Sequence, residues 1–499
     1  MAKTRVTQDL KYKNAKLFKE SLSVAGSTYI AVSRFSEWEG STPPAVYGSV
    51  KERNEFEYEL LGMQNVPAAD VHYMIERITW TSGEVYDMYR HDYTDDNRSY
   101  SGAFRLEDSR YVVFTTKGDV YICLNNAGGA PSTVSPASTL SVPFTTTDGY
   151  QWVKAYTLTS TQRTNYSSGG YIPVIKDSTK KNTVAGAVYT VVLESGGSDY
   201  TTSPVGGINQ IPYYYCNVLG DGTGAVARIQ VVAGRVASVD IVRNGQDYTY
   251  ATIKFDSGSS YGSVEDLDAK QNLLNPEGTG FDATVIIQPE GGFGENLFTD
   301  VSVKAVGVFG NLSYTTLDKV EEGKFHQVGL LSNPTFTAVG VPDRGEFPVA
   351  ANTVKSVAVQ SVFGTPSFQV GEIIEQLIND EADSPTARGT IVGIDTGVVI
   401  DDDLTVDVIR YVQTPNLHMD VDENLYEFTG DNNVTGVTSN GNAVVQQTVN
   451  GFFSLMSFIG GYADADYVKG SGDLIYLSNL QVVNRTPGQR EKVSFVINF

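Results

Sequence analysis

Apolar residues recur along this chain with two spacings, and the shorter one dominates. In "NAKLFKESLSV" (14–24), Leu17, Phe18 and Leu22 fall on one side of a predicted helix. "TYIAVSRF" follows as a strand, and "STPPAVYGSVKERNEFEYELLG" as a turn leading into a second helix. Ser49 and Glu52 stand at the S-x-x-E spacing of a capping box, which satisfies the first amide donors of a helix. From Val71 the pattern turns to alternation: "YMIERITW", "GEVYDMYRH" (83–91) and "RYVVFTTKGDVYICL" read as strands. "NNAGGAPSTVSPAST" (125–139) reads as an exposed loop, and 346–450 as acidic, loop-heavy and strand-rich. The tail "GDLIYLSNLQVVNRTPGQREKVSFVINF" reads as two strands around a polar turn, with Phe499 packed. The pattern predicts a mainly β, multi-domain protein. Its core is an antiparallel sandwich or barrel-like structure with short N-terminal helices, accompanied by small β domains.

An internal repeat lies in 184–290. "VYTVVLESGGSDYTT" aligns with "VASVDIVRNGQDYTY", matching Val191 with Val239, Leu193 with Ile241 and Gly197 with Gly245. Asp199-Tyr200-Thr201 matches Asp247-Tyr248-Thr249, and Gly222-Thr223-Gly224 matches Gly278-Thr279-Gly280. Two copies are too few for a solenoid, so the region reads as a small β domain of duplicated units. Gly220, Gly222 and Ala225 also have the G-x-G-x-x-A spacing of a dinucleotide-binding turn. That site needs a helix after the glycines, and "AVARIQVV" alternates as a strand does. The glycines are read as a turn opening a strand, and no cofactor is expected.

Composition narrows the function classes. The chain has 499 residues, enough for two to four domains, with 41% hydrophobic and 19% charged residues. Gly 49, Tyr 29 and Phe 22 suit short twisted strands joined by glycine turns. A net charge of -22 repels phosphate backbones and anionic lipid, and the densest basic spot is the pair Lys180-Lys181. Neither nucleic-acid binding nor membrane insertion is expected. The opening "MAKTRVTQDLKYKNAK" does not read as a signal peptide, and "GFFSLMSFIGG" (451–461) is too short to span a bilayer. Cys123 and Cys216 are expected to be reduced, in a protein made in the cytosol.

Candidate chemistry is sparse. His72, His91, His326 and His418 show no metal-binding spacing, and Asp464, Asp466 and Asp473 lack the frame of a calcium loop. "GGFGENLFT" (291–299) resembles one copy of a calcium β-roll repeat, which cannot stack alone, and Asp401-Asp402-Asp403 reads as a solvated turn. No metal site is expected. There is no G-x-S-x-G element, and neither cysteine sits in a catalytic signature. The clusters Trp80 with Tyr86 and Tyr89, and Tyr150 with Trp152 and Tyr156, read as core packing. In Tyr213-Tyr214-Tyr215 a strand shows both faces, so at least one ring points outward and suits an interface or a saccharide platform.

Five ordered stretches carry a family resemblance. They are "ERITWTSGEVYDMYRHDY" (76–93), "GDVYICLNNAGGAPSTVSP" (118–136), "TTTDGYQWVKAYTL" (145–158), "FHQVGLLSNP" (325–334) and the tail. Together they resemble a baseplate wedge subunit of T-even-type contractile-tailed phages, the homodimeric wedge protein in its longer cyanophage-like form. The positions that match its motifs are Trp80, Gly83, Tyr86 and Asp87; Asn125 and Asn126; Asp148, Gly149, Tyr150 and Trp152; Gln327, Gly329, Leu330, Asn333 and Pro334; and Tyr476, Arg485 and Gln489. His326 stands where the family pattern has Arg, and Val153 interrupts the Trp152/Lys154 pair.

The resemblance implies a core from 1–175, 291–345 and 451–499, with 176–290 and 346–450 as insertions. It implies a virion component of the tail baseplate, assembled in the host cytoplasm, forming a homodimer and binding other wedge proteins. It also implies no catalysis, cofactor or small-molecule substrate. The competing reading is a receptor- or saccharide-binding tail module using the exposed tyrosines of 184–290. A depolymerase acting through paired carboxylates is the third, with no pair nominated by the sequence.

Overall fold

A computed structural model describes residues 7–24, 27–176, 184–201, 213–256, 276–313, 323–337, 348, 350–379, 384–401, 404–453, 456–485 and 489–499. The fold is mainly β, and the named strand ladders are antiparallel. The chain divides into two compact units, each assembled from separated segments: Met1–Leu17, His72–Gly307 and Val496–Phe499 in one, Phe18–Val71 and Val308–Phe495 in the other. Among the described residues no helix is long and apolar enough to cross a membrane. Lys180, Lys181, Asp402 and Asp403 lie outside the described residues.

The first helix spans Gln8–Leu22 rather than 14–24. Thr7 moves its start upstream, its hydroxyl accepting the Leu10 amide at 3.3 Å. The second helix, Val50–Tyr58, begins at the predicted box: Ser49 Oγ accepts the Glu52 amide at 3.2 Å and Glu52 Oε2 accepts the Ser49 amide at 2.8 Å. That helix buries Phe56 in the second unit, beside a five-stranded sheet of order Ala350–Ala351, Leu60–Asn65, Thr28–Ser33, Gly323–Ser332, Asp473–Arg485. Tyr29, Ala31, Met63 and Leu331 join Phe56 in one core cluster, as the period-two burial of paired strands requires.

The acidic region closes on itself. Strands Leu404–Val412, Thr386–Asp401, Ile373–Leu377, Val434–Gly436, Asn442–Val445 and Lys355–Ser361 pair in that order, and the last pairs back to the first. The result is a six-stranded antiparallel barrel, which leaves no free edge among those strands. Val357, Val359, Ile374, Ile391, Ile409 and Tyr411 fill it.

In the first unit a four-stranded sheet runs in the order Val112–Phe114, Asp119–Asn126, Tyr150–Thr157, Phe144–Thr145. The stretch 83–91 is irregular chain, not the predicted strand, although Tyr86, Met88 and Tyr89 are buried. Its amides are claimed from outside a ladder: Tyr89 donates to the Cys123 carbonyl at 2.8 Å, and Tyr86 to the Tyr150 hydroxyl at 3.4 Å. Nor is loop 125–139 wholly exposed, since Ser132 is fully buried.

The duplicated region forms a domain in which the copies exchange strands. Val188–Ser198 of the first copy pairs with Thr279–Ile287 of the second, and Arg235–Gln246 of the second pairs with Thr223–Val232 of the first. The registers correspond: Thr223 opposite Gln246 matches Thr279 opposite Ser198. Bulges fall at equivalent places, after Val226 and Asp282 and again after Gln230 and Ile286. Val184-Ala185-Gly186 extends the repeat to Val232-Ala233-Gly234, and the Tyr248 and Tyr200 amides donate to the Gly186 and Gly234 carbonyls at 3.2 and 3.0 Å. These pairings have pseudo-two-fold symmetry. Tyr213–Asn217 adds a third strand, beside Thr223–Val232.

Gly222 of the G-x-G-x-x-A spacing and its counterpart Gly278 make room for the rings of Tyr248 and Tyr200. A Cβ at Gly222 would lie 2.4 Å from the Tyr248 ring, and one at Gly278 would lie 2.2 Å from the Tyr200 ring. A ten-residue strand, Thr223–Val232, follows where a nucleotide site needs a helix.

Candidate interaction site

Motif residues from three separate stretches converge in the first unit. The Tyr150 ring stacks on Trp152 at 5.4 Å, and Tyr86 meets Trp152 edge-on at 6.1 Å. Trp80 Nε1 donates to Ser132 Oγ at 3.1 Å, the Gly83 amide to the Ser132 carbonyl at 2.7 Å, and Asn126 Nδ2 to the Tyr86 carbonyl at 3.1 Å. Asn125 Oδ1 accepts the Ala127 amide at 2.8 Å where the chain leaves its strand. Gly149 takes φ +88° in the turn before Tyr150, a conformation that favours glycine.

Two carboxylates tie loops to this framework. Asp87, 1% exposed, accepts the amides of Ser101 and Arg110 at 2.8 and 2.7 Å. Asp148 accepts the Thr133 and Val134 amides at 2.8 and 2.9 Å, and the Thr146 hydroxyl. Burial alone would raise the Asp148 pKa. The Thr146 hydroxyl and the two amides outweigh it and hold the carboxyl below its ordinary value. The donors are amides and hydroxyls, so the arrangement fixes loop geometry rather than activating a nucleophile.

A second group gathers in the other unit. Gln327 Nε2 donates to Asn479 Oδ1 at 2.8 Å, Leu330 lies opposite Tyr476, and Arg485 lies opposite Gly323. Gly329 has no room for a side chain, because a Cβ would lie 2.5 Å from Phe56 Cζ. Asn333, at φ +52°, donates its amide to the Ser27 carbonyl at 2.6 Å, and the next residue, Pro334, closes against Gly472. Gln489 Nε2 donates to the Asn484 carbonyl at 3.3 Å. This group reaches the surface at Ile475, Tyr476 and Val482, which are exposed on the outer strand of its sheet. His326 is buried, with Nδ1 at 3.1 Å from the Arg34 carbonyl.

The three consecutive tyrosines divide as alternation requires. Tyr214 is buried, its hydroxyl donating to the Thr201 carbonyl at 2.9 Å, whereas Tyr213 and Tyr215 are half-exposed on the opposite face.

The titratable groups are mostly structural. His418 Nδ1 accepts the Thr414 amide at 2.8 Å and Nε2 lies 3.0 Å from Thr390 Oγ1; burial lowers its pKa to about 4, so it is neutral at pH 7. Cys123 and Cys216 are free and buried, and burial pushes the Cys216 thiol up to about 12. Asp466 accepts the Asn352 amide at 3.0 Å. Among the described residues no three His, Cys, Asp or Glu side chains are grouped to hold a metal ion. No protein-family model matches this chain, and no curated protein matches it.

Proposed function

We propose that this protein is a structural subunit of a contractile phage tail baseplate, similar to the homodimeric wedge protein. In this reading it pairs with itself, connects neighbouring wedge proteins and acts by assembly rather than turnover. The reading rests on the five ordered motif stretches. The observation that carries it furthest is the use to which their residues are put: Trp80, Tyr86, Asp87, Asp148, Tyr150 and Trp152 hold one framework together, and Gln327, Gly329, Leu330 and Tyr476 hold another. Residues kept for framework geometry suit a subunit whose work is to present rigid surfaces. The exposed apolar side chains at Ile475, Tyr476 and Val482 supply one such surface.

The test is coexpression with the proteins encoded beside it, followed by light scattering and affinity capture. A two-fold oligomer that captures baseplate neighbours is the expected result. A monomer or trimer that captures none of them overturns the proposal.

A further inference from the structure

Among the described residues, the pseudo-two-fold of the duplicated domain relates one covered sheet face to one with two half-exposed rows. On the uncovered side, Tyr213, Gln230 and Ser238 form one row across three strands, and Tyr215, Arg228 and Asp240 form the next. Their symmetry counterparts are Ile286 and Thr190 for Gln230 and Ser238, and Thr284 and Val192 for Arg228 and Asp240.

The counterpart face docks on the sheet core of the same unit. Thr190 and Ile286 are each 5% exposed, and Thr190 Oγ1 donates to Gln151 Oε1 at 2.7 Å. Glu194, further along that strand, pairs with Arg90 at 3.0 Å. The docked version of this surface therefore uses buried Thr190 and Ile286 and the Arg90–Glu194 pair, with Val192 and Thr284 half-buried beside them. On the uncovered side the aliphatics are exchanged for planar hydrogen-bonding groups, Ile286 for Gln230 and Val192 for Asp240, beside two half-exposed tyrosines.

Charge narrows the occupant. Arg228 pairs with Asp240 at 3.1 Å while its guanidinium lies 4.4 Å from the Tyr213 ring centre. The two charges within these rows offset each other, and the exposed Arg243 lies one row further along. These two rows hold no aliphatic side chain and so lack the apolar centre of a protein interface, while Val226 in the next row and Val242, the counterpart of Glu194, flank them. The Tyr213 and Tyr215 rings, 6.5 Å apart and edge to face, stand beside amide and carboxylate groups. That combination matches a pyranose, whose C–H face packs on aromatic carbon and whose hydroxyl rim meets planar donors and acceptors. We propose that this face binds a neutral saccharide, with Tyr213 and Tyr215 packing on the sugar and Gln230 and Asp240 bonding its hydroxyls. The proposal does not depend on the assembly role: an assembly failure leaves it standing, and the reverse holds.

The test applies the full chain to an array of neutral and acidic oligosaccharides, including malto-, cello-, manno- and chito-oligosaccharides, with calorimetry on those that bind. The expected result is a neutral binder whose affinity falls about tenfold or more in Tyr215→Ala and in Gln230→Ala. Tyr215→Phe retains the ring and most of the binding, and Thr190→Ala, on the covered face, retains all of it. Circular dichroism and the thermal midpoint confirm that each variant is folded. Absence of any neutral binder, binding of acidic glycans only, or affinity indifferent to Tyr215→Ala and Gln230→Ala overturns the proposal. So does a protein partner whose hydrogen-exchange footprint covers 213–217 and 228–230.

Discussion

Tyr200 and Tyr248 occupy equivalent positions one repeat apart, and their hydroxyls accept equivalent backbone amides while each donates to a backbone carbonyl. The Tyr200 hydroxyl donates to the Phe255 carbonyl at 2.8 Å and accepts the Phe281 amide at 3.2 Å. The Tyr248 hydroxyl donates to the Val218 carbonyl at 3.2 Å and accepts the Ala225 amide at 3.3 Å. Each ring lies against the glycine that opens a strand of the other copy, so the pair closes both ladders at once.

Removing either hydroxyl strands a buried amide and a buried carbonyl. Tyr200→Phe and Tyr248→Phe should each cost about 1–3 kcal/mol of stability, and by symmetry nearly the same amount. Gly222→Ala and Gly278→Ala should cost at least as much, because the new methyl meets the tyrosine ring. Urea unfolding of the four variants measures this; a silent Tyr248→Phe would contradict the clamp.

Stability should fall as pH rises towards neutrality, through Asp300. Burial raises its carboxyl from 3.8 to about 7, with Gly294 donating an amide to Oδ2 at 2.6 Å. The folded state holds this proton more tightly than the unfolded chain, so the contribution is full below about pH 4. It declines through pH 7 by roughly 4 kcal/mol in all. Asp300→Asn should flatten this part of the stability profile, read as thermal midpoint against pH.

Asp148 should act in the opposite sense. Its pKa is lowered in the folded state, so its contribution is present at neutral pH and is lost as pH falls through the folded value. Asp148→Ala removes the acceptor for Thr133 and Val134 and should destabilise by about 2–3 kcal/mol at pH 7. Hydrogen exchange at those two amides should accelerate in the variant, which separates a local release of the loop from general loosening.

The exposed cap of helix Val50–Tyr58 offers a smaller effect. Ser49→Ala should cost about 1 kcal/mol and leave the rest of the molecule unchanged, as seen by chemical unfolding and near-ultraviolet circular dichroism.

Legibility followed the range of the interactions. The Ser49–Glu52 box and the strands of the tail were readable because their determinants lie within a few residues. The stretch 83–91 misled because Tyr86 and Met88 alternate like a strand, while the amide partners of Tyr86 and Tyr89 come from Tyr150 and Cys123. The helix start was misplaced because Thr7 caps it ahead of its apolar stripe. Among the motif residues, the meeting of Asp148 with Thr133 and Val134 had no local signal.

Sequence alone determined the β-rich class, the presence of two copies in 184–290 and the outward exposure of at least one of Tyr213–Tyr215, because alternation and repetition are written locally. It could not say that the copies trade strands, since pairing within a copy and pairing between copies bury the same alternating residues. Nor could it show that Ile286 is buried while its counterpart Gln230 stays half-exposed. That distinction arises only when the domain docks by one of two symmetry-related faces, because burial on that face is set by residues far away in the chain.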